Sequence, residues 1–376
     1  MRRICSHHIG GRAGSRAFPV LPEFEKDLVN LLYDADRDCI AQIENRNKHL
    51  ESELRVLPYC VGAEHADEVT FNINYDPFAS SLRNMNEKYA SWYFYLRRDG
   101  YDYIMKDALK TVEKRKQQMM TLDEILEDDP TVMPPDIFTL DAQGMEYEFL
   151  QGAHNAINSS VLAVITEVEF HPLYQGQKLF GDVFSLLTEQ GFEFVQFTKD
   201  FLECSPFRKS IGLRGEGFLT CTDALFFKNL DCIDDVEETS KRAVMLDKMA
   251  FISIIFNQLE YGMECLKRRG ALAEESHLQE YAYVQMLRRI ESAADKMDKT
   301  FPPVFSDIFT AQGSRKSSSP DSNNNDQPDN SKQYGYDEID VETFADSEIE
   351  QILNSYGLTS QAEVVKRRRI RQSESI

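Results

Sequence analysis

The stretch that decides the fold reads Asp136-Ile-Phe-Thr-Leu-Asp-Ala-Gln-Gly-Met-Glu146. The four residues before Asp141 predict a buried strand, and Asp141 itself begins a glycine-containing turn into a helix. The next predicted strand ends in Glu167, Glu169 and His171. Two successive strands that place acids at their carboxyl ends, with a helix between them, indicate the ligand side of an open α/β sheet.

Outward from this stretch, apolar runs predict further strands, and amphipathic runs predict helices between them. The predicted strands are 4–9, 28–33, 54–61, 69–75, 192–198 and 224–227. The predicted helices are 39–54, 144–157 and 180–190. Alternation of strand and helix is typical of a mostly parallel sheet with helices on both faces, so the predicted fold class is α/β.

The chain is predicted to divide into three parts. Residues 1–230 form the α/β domain, and an aromatic insertion at 83–120 is either a core under a loop or a lid that stacks on substrate. A helical extension at 241–300 is followed by a mostly disordered tail at 310–376, because 313–329 has almost no apolar side chains. Within that tail, 339–356 predicts a short helix. The basic cluster at 366–371 is an anion-binding tail or a solvated helix end.

Composition excludes several classes of protein. With 376 residues, 42% of them hydrophobic, the chain can bury a large core. A net charge of −21 argues against nucleic-acid binding. Seven cysteines without a CxxC pair indicate reduced thiols, with neither a disulfide framework nor a metal site. No apolar run approaches the ~18 residues of a membrane span, so a soluble cytoplasmic protein is expected.

A glycine-rich turn follows the first predicted strand and brings Gly10, Gly11 and Gly14 together. Backbone without Cβ atoms can approach a ligand closely and present N–H groups to it. Asp34 ends the next strand, 24 positions after Gly10, which is close to the ~20-residue spacing at which an acid binds ribose hydroxyls. Each signal alone also fits an ordinary turn or a solvated acid, but together they favour an adenosine-containing ligand.

The acids of the central stretch carry the second hypothesis. Asp141, Gln143 and Glu146 stand at the strand-to-helix turn, where a carboxylate can simply cap the helix; that explanation suits Glu146 better than Asp141. Glu167 and its neighbours Glu169 and His171 alternate at period two and are expected to share one face of a strand. They form either a general-base site or a strand end that extends into solvent.

Residues 136–153 resemble the signature of FkbM-type S-adenosylmethionine-dependent methyltransferases, a strand followed by Asp-Val-Glu/Gln-Gly-x-Glu and a Leu-x-Gly-Ala helix. Segment 166–174, which begins Thr-Glu-Val-Glu-Phe, also fits that family. So does 77–82, Pro-Phe-Ala-Ser-Ser-Leu, where family members carry Ser-Ser-Leu. His8 departs from the pattern, because members carry an acid just before the first glycine.

The resemblance implies a class I methyltransferase fold, which is Rossmann-like, and methyl transfer from S-adenosylmethionine to a hydroxyl oxygen. Gly10, Gly11 and Gly14 would line the methionine end of the cofactor, and Asp34 would bind its ribose. Asp141 would lie at the edge of the reaction centre. The catalytic base is expected among Asp141, Glu167, Glu169 and His171. Sugars or glycans, polyketides and lipid-linked acceptors all fit this chemistry, and the aromatic insertion favours a glycan.

Two other functions remain open from the sequence. A nicotinamide-dependent oxidoreductase could use the same glycine-rich turn and Asp34. A degenerate member of the family, without catalysis, could serve as an interaction protein; His8 in place of the usual acid motivates that alternative. The sequence does not indicate the oligomeric state.

Overall fold

The computed structural model describes residues 3–10, 18, 24–34, 40–48, 51–92, 94–95, 103–199, 203–204, 217–272, 282–298 and 344–374. Gly11, Gly14 and the predicted disordered segment 313–329 lie outside the described residues. The chain divides into two compact units, Met1–Ile252 with Cys265–Glu274, and Ser253–Glu264 with Glu275–Ile376.

The first unit contains every strand that the structure describes. The strands are β1 Ile4–Ile9, β2 Leu28–Tyr33, β3 Glu53–Leu57, β4 Cys60–Val61, β5 Ala66–Asn74, β6 Phe94–Tyr95, β7 Tyr103–Ile104, β8 Thr111–Met120, β9 Ile137–Leu140, β10 Ala163–Glu169, β11 Phe192–Phe197, β12 Glu203–Cys204, β13 Phe218–Leu219 and β14 Cys221–Lys228. Seven of them form the central sheet, in the order β11-β14-β10-β9-β1-β2-β3.

Strand direction in the central sheet is mostly parallel. The pairs β2–β3, β1–β2, β1–β9 and β9–β10 are parallel, and only β14 runs antiparallel to its two neighbours within the described sheet. The mostly parallel α/β sheet expected from the sequence is therefore confirmed. Its carboxyl edge, where β1, β2, β9 and β10 all end, is the edge at which such sheets bind ligands.

Helices connect and cover these strands. They are α1 Ile40–Arg46, α2 Glu87–Ala90, α3 Met105–Ala108, α4 Leu122–Asp128, α5 Glu146–Gly152, α6 His154–Ser159, α7 Phe180–Glu189, α8 Leu230–Asp234, α9 Thr239–Ile255, α10 Leu259–Gly270, α11 Ala282–Asp298, α12 Phe344–Ser355 and α13 Thr359–Glu374. None of these helices is long and apolar enough to cross a membrane.

The core covers both faces of the central strands. All residues of β1, β2 and β9 are buried, as expected for parallel strands covered on both faces. Phe138 and Leu140 of β9 share one buried cluster with Phe149 and Leu150 of α5. The short apolar face of α5 thereby fixes the turn that joins it to β9.

A second sheet was not expected from the sequence. The predicted strand 69–75 is β5, which pairs antiparallel with β8 in a separate sheet of order β4-β8-β5. The predicted strand 54–61 is two strands, β3 and β4, because Pro58 lies between them. Strand β8 lies inside the predicted aromatic insertion 83–120. Its Glu, Lys, Arg and Gln side chains hide the strand pattern.

Two predicted helices are shorter in the structure. The helix predicted at 39–54 is described only as α1, and the chain re-enters the sheet at Glu53. The helix predicted at 144–157 is two helices, α5 and α6, which meet at Ala153. Next to that junction, a Cβ on Gly152 would lie 2.0 Å from the Gly62 carbonyl oxygen, so the backbones touch at this point.

The second unit is helical. Leu287 and Ile290 of α11 are buried, as are Leu353 of α12 and Leu358 at the start of α13. The described part of the predicted disordered tail is therefore two helices with a core of their own, where the sequence predicted one short helix.

Candidate functional site

A cleft opens in the first unit at the carboxyl ends of β1, β2 and β9. It encloses about 660 Å³, counted with its mouth. Gly10, Asp34 and Asp141 all line it, so the structure brings together three residues that the sequence placed on three separate strands.

Register explains why these residues meet. Ile9 of β1 pairs with Tyr33 of β2 on one side and with Leu140 of β9 on the other, and Leu140 pairs with Thr166 of β10. The residue after each of these forms the next row across the sheet. We call this row the edge row. It consists of Asp34, Gly10, Asp141 and Glu167, and it continues to Asp223, which pairs with Glu167. Neighbouring strands are ~4.8 Å apart, so the edge row is a line of acids interrupted by one glycine.

Gly10 is the residue in the edge row that cannot carry a side chain. Its φ of +95° lies in the left-handed region, and a Cβ would stand 1.9 Å from the Asp141 carbonyl oxygen. The Gly10 N–H donates to Tyr33 O at 3.2 Å, and the Asp141 N–H donates to Ile9 O at 3.1 Å. Glycine therefore permits the contact between the ends of β1 and β9 that forms the floor of the cleft.

The turn after β9 orients the Asp141 carboxylate. Gln143 has a φ of +55°, which is uncommon for a residue with a Cβ. Its Nε2 donates to Asp141 Oδ1 at 2.8 Å, and its Oε1 accepts from the buried Tyr174 hydroxyl at 2.9 Å. This relay runs from Tyr174 through Gln143 to Asp141 and fixes one carboxylate oxygen.

Two side chains from the segment after β5 clamp the same turn. Ser81 Oγ donates to Gln143 O at 2.7 Å, and Arg83 Nε donates to Gly144 O at 2.8 Å. Arg83 also forms an ion pair with Glu148 of α5. These contacts explain why the Ser-Ser-Leu segment at 80–82 belongs with the strand-to-helix motif: it holds the backbone of the cleft.

Glu146 caps the turn. Its Oε1 accepts from the backbone N–H groups of Ala142 at 2.8 Å and Gly144 at 3.2 Å. Burial raises the pKa of this carboxyl group from 4.5 to about 7, although these hydrogen bonds favour its ionised form. Glu146 is 3% exposed, so its contribution is to local structure, as the capping explanation expected.

A Glu146→Gln variant should be more stable than the parent at pH 8 and nearly equal to it at pH 5. Because the pKa is raised on folding, the parent loses stability as the pH rises from 4.5 through about 7, by up to ~3 kcal/mol. Gln keeps the accepting oxygen and carries no charge. Urea unfolding at both pH values measures the difference in free energy of unfolding between variant and parent. A Glu189→Gln control, at an exposed position of α7, should show no such difference. A difference of equal size in the control would contradict the explanation.

Glu167 and Glu169 point the same way from β10 but differ in surroundings. Burial, followed by repulsion from Asp141, raises the pKa of Glu167 well above its usual range. Burial also raises the pKa of Glu169, which is only 3% exposed. Glu167 is half-buried and stands in the edge row, whereas Glu169 lies two residues beyond it.

His171 does not share the face of the two acids, contrary to expectation. Strand β10 ends at Glu169, and the chain bends before Pro172. The His171 ring stacks on Tyr89 with centroids 5.9 Å apart, and it lies 6.1 Å from Trp92 and 6.0 Å from Phe218. Partial burial lowers its pKa below 6.5. His171 is thus part of an aromatic cluster, formed with Tyr89, Trp92 and Phe218, and does not line the cleft.

His8, the residue that departs from the family pattern, is buried in the sheet. Its Nδ1 lies 2.6 Å from Thr139 Oγ1, and it is 4% exposed. Burial lowers its pKa from 6.5 to about 4, so the ring is neutral at physiological pH. His8 therefore fills a position in the core and presents no charge to the cleft.

Sequence reasoning missed the aromatic wall of the cleft. Tyr59 and Cys60 follow β3, Phe71 lies on β5, and Phe78 is in the segment after it. Phe78 is 49% exposed at the cleft. The only signal for this wall was the resemblance of residues 77–82, because the remaining wall depends on how the second sheet packs.

The charges of the lining limit the ligands. As far as the described residues go, Asp34 and Asp141 are the charged side chains of the lining, and it contains no Lys, Arg or His. The described part of the chain also has no group of three or more His, Cys, Asp or Glu arranged to hold a metal ion. Such a lining suits a ligand with hydroxyl donors and positive charge, and it opposes a phosphate.

Comparison with known proteins gives one match. Residues 24–194 match the family model described as the methyltransferase FkbM domain. That range includes Asp34, Asp141, Glu167 and the Ser-Ser-Leu segment, but not Gly10. No curated protein and no solved structure matches the chain.

Proposed function

Because this chain belongs to the FkbM-type methyltransferase family, we propose that it transfers a methyl group from S-adenosylmethionine to a hydroxyl oxygen of its acceptor. The observation that carries the proposal is the edge row, in which Gly10 and the acids Asp34, Asp141 and Glu167 stand at the carboxyl ends of adjacent strands, beside a cleft whose described lining has no cationic side chain. S-adenosylmethionine has two hydroxyls on its ribose and a net positive charge at the reacting end, and both features complement such a row.

The residues of the cleft fit this cofactor. Asp34 would accept hydrogen bonds from the ribose hydroxyls, and Gly10 permits the close approach of β1 and β9 that forms the floor on which the cofactor would lie. Tyr59, Phe71 and Phe78 supply apolar and aromatic surface on the side of β3 and β5, which suits an adenine ring. The cofactor would supply an activated methyl group on a positively charged sulfur, whose C–S electron pair stays with sulfur as the new C–O bond forms.

Glu167 is the residue that we propose as general base. It does not itself line the cleft, but it is next to Asp141, which does, in the edge row and is half-buried, and its raised pKa makes its carboxylate a better proton acceptor than an ordinary Glu. In the proposed step, the acceptor hydroxyl gives its proton to Glu167 while its oxygen attacks the methyl carbon. Glu169 is buried away from the row, and His171 is held in the aromatic cluster.

The aromatic cluster supports a glycan as the acceptor. Tyr89 and Trp92 lie 4.8 Å apart by ring centroid, His171 stacks on Tyr89, and Phe218 is 51% exposed beside it. Exposed aromatic side chains such as Phe218 offer ring faces on which a sugar ring can stack. Polyketide and lipid-linked hydroxyls remain acceptors to be compared. A panel of such acceptors, with release of S-adenosylhomocysteine as the readout, tests the reaction; no release with any member would count against it.

The oxidoreductase alternative has less support. Nicotinamide dinucleotides carry a pyrophosphate, which needs N–H donors and usually a nearby positive charge. The described lining has Asp34 and Asp141 as its charged side chains, and these carboxylates disfavour a pyrophosphate placed beside them. A non-catalytic protein with the same fold would bind the cofactor weakly or not at all, and binding therefore separates that alternative from an enzyme.

An Asp34→Ala variant should bind S-adenosylhomocysteine more weakly by at least ~1 kcal/mol, because a charge-assisted hydrogen bond to the ribose is lost. Calorimetric titration of parent and variant measures the difference. A Glu127→Ala control removes an exposed acid that does not line the cleft and should bind like the parent. Equal affinity of Asp34→Ala and the parent would remove Asp34 from the site.

A further inference from the structure

We propose that Asp141 binds the α-ammonium group at the methionine end of the cofactor, rather than serving as the base. The inference rests on the proposed function, and it assigns the cation-binding role in this cleft. It follows from the charges of the lining, the burial of His8 and the relay that orients the Asp141 carboxylate.

The charged residues of the described lining leave Asp141 as the partner for the ammonium group of the cofactor. Only Asp34 and Asp141 are charged among the described lining residues, and they stand on either side of Gly10 in the edge row. Two strand spacings separate their backbones by about 10 Å, so they contact different parts of an elongated ligand. If Asp34 binds the ribose, Asp141 is the carboxylate at the other end. A cation in a partly closed cleft needs such a partner.

His8 cannot take this role. It lies on β1 two residues before Gly10, but its ring is buried against Thr139 and its pKa is lowered to about 4 by burial. A neutral, buried imidazole contributes no charge to an ammonium. The chain therefore has no acid at this position of β1, and Asp141 on the adjacent strand supplies one beside Gly10.

The relay from Tyr174 through Gln143 orients the Asp141 carboxylate so that it can bind a cation. The Gln143 amide NH₂ donates to Asp141 Oδ1, because a carboxylate oxygen only accepts, and Gln143 Oε1 then lies 2.9 Å from the Tyr174 hydroxyl, which also lies 3.2 Å from the Ala79 carbonyl oxygen. This is the only hydrogen bond to the carboxylate from the part of the chain that the structure describes. It leaves Oδ2 available to accept from an ammonium. Gln143 is held in its left-handed conformation by the Ser81 hydrogen bond, so the relay is fixed before a ligand arrives.

Two ligands distinguish binding of the amino-acid end of the cofactor from binding of its adenosine end. S-adenosylhomocysteine contains the amino-acid part, whereas 5′-deoxy-5′-methylthioadenosine has the same adenosine and thioether without it. Asp141→Asn should weaken S-adenosylhomocysteine binding by roughly 10- to 100-fold, as expected for loss of a charged hydrogen bond, and should change methylthioadenosine binding by less than about twofold. The matched variant Asp34→Asn should weaken both ligands. Calorimetry measures all six affinities.

The relay gives a second variant. Tyr174→Phe removes the hydroxyl that orients Gln143 and should weaken S-adenosylhomocysteine by roughly threefold to tenfold without affecting methylthioadenosine. Circular dichroism and thermal unfolding show whether each variant is folded. Unchanged S-adenosylhomocysteine affinity in folded Asp141→Asn, or equal losses for both ligands, would overturn the assignment. If the folded parent binds neither ligand, the proposed function itself fails.

Discussion

A Glu167→Gln variant should transfer methyl groups at least ~10²-fold more slowly than the parent on any acceptor that the parent methylates. Gln has the shape of Glu but cannot accept the hydroxyl proton. Because Glu167 is assigned to the acceptor and not to the cofactor, S-adenosylhomocysteine affinity should stay within about twofold of the parent. Single-turnover release of S-adenosylhomocysteine measures the chemical step, and calorimetry measures the binding.

The strand provides a matched control for this variant. Glu169→Gln changes the same residue type two positions further along β10, at a site that is buried and outside the edge row. Because Glu169 is buried and accepts no proton in the proposed step, the rate of this variant should fall by less than about fivefold. A large loss in Glu169→Gln together with a small loss in Glu167→Gln would move the base to Glu169.

The pH profile gives an independent readout of the same residue. A general base acts only when ionised, and burial with repulsion from Asp141 raises the pKa of Glu167. The rate of the parent should therefore rise with pH at values above the usual range of a Glu carboxyl. That rising limb should be absent from Glu167→Gln. A limb that persists unchanged in the variant would belong to another group.

A Gly10→Ala variant should lose both stability and cofactor binding. The new Cβ would stand 1.9 Å from the Asp141 carbonyl oxygen, at a φ of +95°, so the ends of β1 and β9 must move apart. The combined strain should lower the free energy of unfolding by roughly 3 kcal/mol or more. Because the displaced backbone is the floor of the cleft, S-adenosylhomocysteine affinity should fall at least ~100-fold in whatever fraction stays folded.

Another glycine provides the control for this substitution. A Cβ on Gly181, in the first turn of α7, would meet nothing within 4 Å. Gly181→Ala should therefore be neutral or stabilising by up to about 1 kcal/mol. Urea unfolding and calorimetric titration of both variants make the comparison. A Gly10→Ala protein as stable and as tightly binding as Gly181→Ala would contradict the close approach of β1 and β9.

The sequence predicted those parts of the fold where pattern and burial agree. Strands β1 and β2 have the predicted bounds, and β9 occupies the predicted four residues before Asp141. These strands are buried on both faces and contain no Asp, Glu, Lys or Arg, and their ends are marked by Gly10, Asp34 and Asp141. The antiparallel pairing of β5 with β8 was not predictable, because alternation of side chains is the same in either kind of sheet and β8 is mostly polar.

The candidate site likewise has a part that the sequence predicted and a part that depends on tertiary structure. Gly10, Asp34 and Asp141 could be assigned to one edge because parallel strands present their carboxyl ends together. The order of strands, and hence the edge row in which Glu167 is next to Asp141, depends on pairings that lie far apart in sequence. The bend after Glu169 removes His171 from the strand, and no period-two pattern anticipates it. The relay through Tyr174 depends on tertiary packing in the same way.

Calorimetric titration of the unmodified chain with S-adenosylhomocysteine, and in parallel with NAD⁺, tests the central claim most directly. A cleft lined by Asp34 and Asp141, without cationic side chains in its described part, should bind S-adenosylhomocysteine at a single site and give no saturable heat with NAD⁺. Absence of S-adenosylhomocysteine binding by the folded protein, or saturable binding of NAD⁺, would contradict the account.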